Sequence, residues 1–386
     1  MSRAGLYIHI PFCRSRCSYC DFATGIYQGE LAETYVNALI DEIANSAHAG
    51  NAVDTIYFGG GTPSLLTAAQ LDRILATLHE RFAVQPDSEV TLEMNPGTVS
   101  RDQLRAFREL GVNRASFGAQ TFDDAELAKL GRSHTSAETL RTFDELRAAG
   151  FTNVSFDLIA GLPGQTLAGW QTNVERALAL EPEHLSFYLL EVHSGTPLAD
   201  HIRRGLQPKP DEDLAAEMYE WMLERAVAAG YEHYEISNLC KPGFISRHNT
   251  KYWTGAAYYG FGCSAHSFDG ASVNNGASVN RGRRWSNERD VQRYVQAVEQ
   301  GKSPIVEQHS LTDVDLRAEA LFLGMRLMRG VDVREYSETF GVDLRAEHRD
   351  ELDRFREAGL VEFDGDLIRL TRNGALMSNE VFAAFV

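Results

Sequence analysis

The sequence is short of basic residues. Its 386 residues include 37 Lys or Arg and 54 Asp or Glu, which leaves a formal net charge of −17 with histidine neutral. Broad nucleic-acid binding depends on neutralising phosphates with Lys and Arg, and affinity for anionic membrane surfaces depends on the same side chains. The charge therefore argues against both kinds of partner.

Cysteines and long apolar runs are also scarce. The five cysteines are Cys13, Cys17, Cys20, Cys240 and Cys263. An odd number cannot close a complete set of disulfides, and a chain of this size does not need them to fold. No apolar run approaches the roughly 18 residues of a membrane helix, and the first residues lead into a strand-like stretch, so we expect no signal peptide. These features predict a reducing, cytoplasmic location and a metal site.

Strand-like and helix-like patterns alternate through the first half of the chain. Runs rich in Ile, Val and Phe cover residues 6–10, 54–58, 89–94, 114–118, 153–159 and 185–190. Helical patterns lie between them, over residues 33–47, 68–82, 101–110, 136–149 and 167–180. Such alternation is typical of a parallel sheet with helical crossovers and a site at the carboxyl ends of its strands. Six units are too few for a complete eight-stranded barrel, so we predict an α/β fold with an open, partial (β/α)6 barrel over residues 1–238.

The rest of the chain divides in two. Residues 254–284 are rich in Gly, Ser and Asn, so we predict a loop-rich connecting segment over residues 239–305. Before the connecting segment, we predict a helix over residues 211–229 and a strand over residues 231–236. Beyond it, helical patterns at 311–328 and 344–358 and a hairpin pattern at 361–370, turning at Asp364-Gly365, favour a winged-helix-like C-terminal module over residues 306–386. With 10 Lys or Arg against 17 Asp or Glu, this module is a poor partner for DNA, and we assign it to packing or protein contacts.

Three of the cysteines form a cluster. Cys13, Cys17 and Cys20 have the spacing C-x3-C-x2-C, between a strand-like run and a helical one. Three thiolates on one loop can hold three corners of an iron–sulfur cube and leave the fourth iron open to a substrate. The alternatives are a zinc site with a fourth ligand such as His9, and three unrelated thiols.

With the alternation that follows it, the cysteine motif resembles the radical S-adenosylmethionine (SAM) superfamily. The resemblance implies a 4Fe–4S cluster on the three cysteines and SAM at its open iron. It also implies a bed of SAM contacts at the strand ends, formed by Tyr7, Tyr19, Gly60, Gly61, Thr62, Glu93, Gln120, Arg132 and Asp157. Taken singly, each of these residues is better explained as a turn glycine, a helix cap or a structural salt bridge, and it is their recurrence at the strand ends that favours a cofactor bed.

The resemblance narrows to the oxygen-independent coproporphyrinogen III oxidase group. It is carried by segments such as Gly59-Gly-Gly-Thr-Pro-Ser64, Glu93-Met-Asn-Pro-Gly97 and Asp157-Leu-Ile-Ala-Gly-Leu-Pro163. Oxidases of this group have a fourth cysteine two residues after the third, where this chain has Phe22. The other branch, the HemW-type haem chaperones, has an HNxxYW motif, present here as His248-Asn-Thr-Lys-Tyr-Trp253.

The sequence is therefore identified as a member of the haem-chaperone branch. The implied function is to bind haem and pass it to apo-haem proteins, while the cluster and SAM gate transfer or dimerisation. The alternatives are oxidative decarboxylation of coproporphyrinogen III and a radical SAM reaction on another substrate. The implied partners are haem, acceptor proteins and an unidentified electron donor, and a homodimer is one possible assembly.

The HNxxYW residues suit a porphyrin. Imidazole is a common haem-iron ligand, and flat aromatic rings can cover the macrocycle. We assign to haem binding His248, Asn249, Tyr252 and Trp253. Further candidates to pair with the haem propionates are Arg281, Arg283 and Arg284. Further candidate ligands of the haem iron are Cys263 and His266. Without the resemblance, a buried, hydrogen-bonded His248 and a core Trp253 are the plainer interpretations.

Overall fold

The computed structural model describes residues 3–274 and 277–385, and the side chains of residues 271–281 are left out of the description. The first half alternates strands and helices. Its strands are β1 (Ala4–Ile10), β2 (Phe12–Cys13), β3 (Gly25–Ile26), β4 (Ala52–Gly60), β5 (Ala83–Met94), β6 (Arg114–Gln120), β7 (Val154–Ala160) and β8 (His184–Leu189). Its helices are α1 (Gly29–Ala44), α2 (Ala68–Arg81), α3 (Arg101–Glu109), α4 (Asp124–Lys129), α5 (Ser136–Ala148) and α6 (Leu167–Ala179), with a 3-10 turn at Pro63–Leu65.

The middle of the chain adds both helices and strands. In order these are α7 (Pro197–Arg203), α8 (Glu212–Ala228), β9 (Glu232–Glu235), β10 (Asn238–Cys240), α9 (Arg247–Trp253), β11 (Tyr258–Phe261), β12 (His266–Phe268), β13 (Ala271–Asn274), β14 (Ala277–Arg281), β15 (Arg283–Asn287), α10 (Val291–Glu299) and β16 (Ile305–Ser310). None of the helices in the described ranges combines the length and apolar character of a membrane span.

One large sheet organises the molecule. Its twelve strands have the order β16-β15-β12-β11-β1-β4-β5-β6-β7-β8-β10-β9. The run from β11 to β8 is parallel throughout. Strands β16 and β9 end the sheet without pairing to each other, so the barrel is open. The predicted α/β fold with an open, partial barrel is confirmed, and β11 (Tyr258–Phe261) adds a seventh parallel strand beside the six predicted units.

Polar side chains cap the amino ends of most crossover helices. The Thr67 side chain accepts the backbone N–H of Gln70, whose own side chain accepts the backbone N–H of Thr67, and Thr135 and Glu138 make the same pair at α5. Such capping boxes satisfy N–H groups that have no partner within the helix. Helices α2 and α5 therefore start at defined residues, whereas α1 has no side-chain cap at Gln28.

The segment predicted as a loop-rich connection differs from that prediction. Strands β11, β12, β15 and β16 lie within residues 254–310 and extend the main sheet beyond β1. Their glycines serve close packing: a Cβ on Gly260 would lie 2.3 Å from the carbonyl oxygen of His266 on the next strand. Composition alone had indicated loops, because the same glycines are typical of turns.

Helix α9 closes the amino end of the barrel. The backbone N–H groups of Arg247 and His248 donate to the Glu89 carboxylate on β5, at 3.1 and 3.0 Å. Lys251 pairs with Asp54 near the start of β4 at 2.7 Å. The HNxxYW segment is therefore anchored at the end of the strands opposite the cysteine loop.

The C-terminal module has its own core. It comprises α11 (Asp313–Gly324), β17 (Val331–Asp332), α12 (Val333–Phe340), α13 (Leu344–Glu347), α14 (Arg349–Glu357), β18 (Val361–Asp364), β19 (Leu367–Leu370), α15 (Arg372–Leu376) and α16 (Ser378–Phe382). The predicted hairpin is confirmed, with its turn on Gly365-Asp366, where Gly365 has φ +61°. The helix predicted over residues 344–358 is interrupted at His348, which separates α13 from α14.

Candidate functional site

A cavity of about 580 Å³ opens at the carboxyl ends of the barrel strands. Most of the residues predicted for the cluster and SAM line it: Tyr7, Cys13, Cys17, Tyr19, Cys20, Gly60, Gly61, Glu93, Gln120, Arg132 and Asp157. Residues of α15 and α16 complete its outer wall. The carboxyl ends of parallel strands meet at one edge of a sheet, which is why side chains from five strands converge here.

The cysteine loop is held against the barrel by backbone hydrogen bonds. The N–H of Ser18 donates to the carbonyl of Leu130 at 2.9 Å. The carbonyl of Ser18 accepts the N–H of Leu198 at 2.8 Å. Burial is the main cause that raises the pKa of the Cys13 and Cys20 thiols. Metal binding must therefore release protons from these thiols, which makes it weaker in acid.

Two donors are aimed at the cysteine sulfurs. Arg132 Nη1 lies 3.5 Å from Cys17 Sγ, and the Thr62 hydroxyl lies 3.5 Å from Cys13 Sγ. Such hydrogen bonds stabilise thiolates. Thr62 does not line the cavity but lies beneath it, 1% exposed. Among residues 3–274 and 277–385, no group of three His, Cys, Asp or Glu side chains converges on one metal position.

His9 does not fit the zinc alternative. Its Nδ1 lies 3.1 Å from the Tyr7 hydroxyl and its Nε2 lies 3.1 Å from the Ala23 carbonyl. Burial lowers its pKa to about 4. Both ring nitrogens are engaged, and the residue does not line the cavity.

The glycines at the end of β4 keep the cavity floor open. Gly60 has φ +107°, and a Cβ there would lie 2.5 Å from the His9 ring. A Cβ on Gly61 would lie 2.7 Å from the carbonyl oxygen of Phe12. Glycine suits both positions, because Gly60 has a left-handed φ and a side chain at Gly61 would collide with the backbone of β2.

Two half-buried carboxyls, those of Glu93 and Asp157, face the cavity from β5 and β7. Glu93 accepts the Tyr57 hydroxyl at 2.6 Å and the Gly60 N–H at 3.2 Å, and burial raises its pKa to about 7. Burial also raises the pKa of Asp157, against the opposing effect of the nearby Ser186 hydroxyl. The buried guanidinium of Arg114 favours the ionised form of both. Such groups can accept hydrogen bonds from hydroxyl or ammonium donors of a ligand.

Arg132 is fixed by a residue that the sequence did not indicate. Its Nη2 donates to Asn95 Oδ1 and to the Gly118 carbonyl, both at 2.6 Å. Asn95 also donates to the Thr62 hydroxyl at 2.8 Å and lines the cavity. The signal was present in Glu93-Met-Asn-Pro-Gly97, where Asn95 is the second polar residue at the strand end.

Gln120 has an unusual backbone. It ends β6 with φ +64°, a left-handed value that is uncommon for a residue other than glycine. The β6–β7 register also shifts between Gly118 and Gln120. This irregularity turns the Gln120 side chain into the cavity, as strained residues at functional sites often do.

Comparison with known proteins explains this constellation. The model of the Radical SAM superfamily matches residues 7–177, and that of the HemN C-terminal domain matches residues 311–377. The heme chaperone HemW of Bacillus subtilis (strain 168) is 37% identical, over 98% of each chain. That of Lactococcus lactis subsp. lactis (strain IL1403) is 35% identical, over 98% of this chain and 96% of its own. This chain belongs to the HemW family of haem chaperones.

A solved structure supports the fold of this HemW-family chain. Coproporphyrinogen III oxidase (HemN) from Escherichia coli superposes with a TM-score of 0.83 over 99% of this chain and 90% of its own, at 23% identity. At that identity the match shows a shared fold and nothing about activity. Superfamily membership assigns a 4Fe–4S cluster and SAM as cofactors, and the three thiols and the glycine floor suit them.

Glu93→Gln is expected to weaken SAM binding about tenfold and to remove its pH dependence near neutrality. Because burial raises the pKa of Glu93 to about 7, many of these carboxyls are protonated at neutral pH. Only the carboxylate can accept freely from the cofactor, so wild-type affinity should rise as pH increases through about 7. Equilibrium dialysis of labelled SAM against anaerobically reconstituted protein measures this. Glu109→Gln, on the exposed surface of α3, is the control, and an unchanged pH profile in the Glu93 variant would contradict the assignment.

His248 lies inside the barrel rather than at a ligand cavity. It is fully buried, with Nδ1 2.9 Å from the Thr55 hydroxyl and Nε2 3.0 Å from the Tyr252 hydroxyl. Its ring stacks on Tyr57 at 5.1 Å between centroids, and burial lowers its pKa to about 3. Neither nitrogen is free to bind iron in this arrangement, so the geometry does not support an axial role.

The other HNxxYW residues separate into two groups. Asn249 and Tyr252 line neither cavity, and Tyr252 packs against Tyr258 at 4.7 Å between ring centroids. Trp253, in contrast, lines a second cavity, between α9 and the C-terminal module. The motif is therefore divided between residues that close the barrel and a half-buried tryptophan at the second cavity.

Two of the remaining haem candidates, Arg283 and Arg284, are already engaged in ion pairs. Arg283 pairs with Asp269 at 3.4 Å, and Arg284 makes a two-pronged pair with Glu319 at 2.9 Å for both bonds. The side chain of Arg281 lies outside the described residues. Cys263 and Cys240 are buried and His266 is exposed, and none of the three lines a cavity.

Proposed function

We propose that this HemW-family chain binds haem and passes it to apo-haem proteins, with the cluster and SAM in the barrel gating transfer or dimerisation. The observation that carries the proposal is at the cysteine loop. Phe22, 63% exposed, lines the cavity mouth where oxidases of the group have a fourth cysteine. An apolar ring at this mouth suits contact with a macrocycle, and it cannot replace a thiol.

The residues that line the barrel cavity suit the binding of cofactors. Cys13, Cys17 and Cys20 would ligate the cluster, and Arg132 would steady the Cys17 thiolate. Glu93 and Asp157 would accept hydrogen bonds from SAM. When bound, the cluster supplies an electron that can cleave SAM.

The proposed partners follow from the family and the surface. The relatives are named heme chaperones, so haem and apo-haem proteins are the partners we propose. A cytoplasmic location suits five free cysteines and a net charge of −17. The same proposal includes an electron donor and assembly as a homodimer.

Haem titration and a decarboxylation assay on one reconstituted sample test the proposal together. We expect a saturable Soret shift at about one haem per chain, because haem is a stoichiometric cargo. We expect protoporphyrinogen formation from coproporphyrinogen III, with SAM and reductant, to stay at background. Absence of saturable haem binding would overturn the chaperone function, and decarboxylation well above background would favour the oxidase alternative.

A further inference from the structure

Arg114 begins β6 and points into the barrel. Ser116, two residues later on the same face of the strand, lines the cofactor cavity, so Arg114 faces the same interior one step further from the mouth. The alternate residue Phe117 faces the helices and packs against Phe156 at 4.4 Å between ring centroids. Arg114 is only 1% exposed, so its positive charge lies inside the protein.

Two nitrogens of the Arg114 guanidinium are unbonded. Its Nε and Nη1 are buried and have no hydrogen-bond partner in the described part of the chain. The hydroxyl of Thr91, the residue opposite Arg114 in the β5–β6 ladder, is also buried and without a bond among those residues. A buried charge is costly unless opposite charge compensates it, so carboxylates of the same interior must balance Arg114.

Glu93 and Asp157 are in position to balance this charge. Glu93 follows Thr91 by two residues on the same face of β5, and two residues of a strand span about 6.6 Å. Asp157 faces the cavity from β7, which is paired to β6 on its other side. Burial is the main cause that raises the pKa of both carboxyls, and the positive charge of Arg114 opposes that effect.

The other titratable groups near Arg114 are held neutral. Burial is the main cause that lowers the pKa of His184 and His248, so neither imidazole is a second cation at neutral pH. Burial is also the main cause that raises the pKa of the two phenols and the thiol nearby. The groups that the charge of Arg114 influences, from six strands and α9, are Tyr57, Glu93, Asp157, His184, Tyr234, Cys240 and His248. Of these, only the two carboxyls can be negative at neutral pH.

The charged groups at the base of the barrel have partners of their own. Glu89 accepts the two backbone N–H groups that begin α9, at 3.1 and 3.0 Å. Lys251 pairs with Asp54 at 2.7 Å. The charge of Arg114 is therefore directed toward the cofactor end of the interior.

We propose that Arg114 is a positioning residue for the SAM site, whose buried charge keeps the Glu93 and Asp157 carboxyls ionised beneath the cofactor. Ionised carboxylates attract SAM, because it carries a positive sulfonium and a positive ammonium group. Arg114 would act through these two side chains without touching the cofactor, since it does not line the cavity. The inference rests on the placement of SAM in the barrel within the proposed function, and it does not depend on where haem binds.

The pH profile of SAM affinity in anaerobically reconstituted protein tests the proposal. Arg114→Met removes the charge, so the carboxyl pKa values should rise and the affinity profile should move to higher pH by about one unit. The variant should bind SAM about fivefold more weakly than wild type near pH 7 and equally well near about pH 9. Arg114→Gln is a second neutral variant with the same expected shift.

Two controls separate charge from packing. Arg114→Lys keeps the positive charge, so its profile should stay within about 0.3 pH unit of wild type. Arg105→Met, at an exposed position on α3, removes the same net charge from the surface and should leave the profile unchanged. Equal shifts in Arg114→Lys and Arg114→Met would overturn the role of the charge, and so would an unshifted profile in both neutral variants.

A measurement on wild type keeps the proposal testable if the neutral variants fail to fold. The infrared band of a protonated carboxyl that Glu93→Gln removes should be mostly lost from wild type by about pH 8, and its persistence there would overturn the proposal. Absence of saturable SAM binding by wild type would overturn the placement of the cofactor and this inference with it. Haem titration decides the chaperone function separately, because it does not involve these carboxyls.

Discussion

Cys17→Ala is expected to leave anaerobically reconstituted protein with less than about one iron per chain, where wild type should hold about four. A 4Fe–4S cluster on three thiolates loses a third of its protein ligands with this change. Cys17 also carries the hydrogen bond from Arg132, at 3.5 Å, so the variant loses the thiolate that faces a guanidinium. Iron analysis together with the visible absorption of the cluster measures the effect.

The other two cysteines provide matched controls. Cys240 and Cys263 are fully buried and line neither cavity, so Cys240→Ala and Cys263→Ala should keep about four irons. Loss of iron in these variants, or full iron in Cys17→Ala, would contradict the assignment of the cluster to the N-terminal loop. Zinc in place of iron after anaerobic purification would contradict the superfamily chemistry.

His248→Ala is expected to destabilise the protein by about 3–5 kcal/mol while leaving haem affinity within about threefold of wild type in the folded protein. The change leaves a cavity inside the barrel and removes the bonding partner of the Thr55 and Tyr252 hydroxyls. Urea unfolding gives the free energy, and haem titration of the folded variant gives the affinity. His266→Ala, at an exposed position on β12, should change stability by less than about 0.5 kcal/mol.

His248 also makes the stability of the folded protein decrease in acid. Because burial lowers its pKa from 6.5 to about 3, His248 is neutral in the folded protein and takes up a proton on unfolding below about pH 6.5. Its contribution to the free energy of unfolding should therefore fall as pH decreases from 6.5 toward 3. The wild type should lose stability more steeply than His248→Ala over this window. A variant as stable as wild type that loses haem binding would instead identify His248 as the ligand.

Much of the cofactor site could be predicted before the fold was known. The strand-end residues Glu93, Gln120 and Asp157 meet in one cavity because parallel strands share a carboxyl edge. Asn95 was missed, since its importance lies in a bond to Arg132 from a distant loop. Strands β11 and β12 were missed because the glycines that allow their close pairing are also typical of loops.

Local chemistry in the sequence was enough to determine the cysteine loop, the strand–helix alternation and the family. These depend on short spacings and on periodicity along the chain. Only the tertiary structure decided the meaning of HNxxYW, because burial and partners come from other segments. His248 is enclosed by β1 and β4, whereas Trp253 faces Arg326 from the C-terminal module. One motif therefore holds a structural histidine and a cavity tryptophan, and no spacing along the chain distinguishes them.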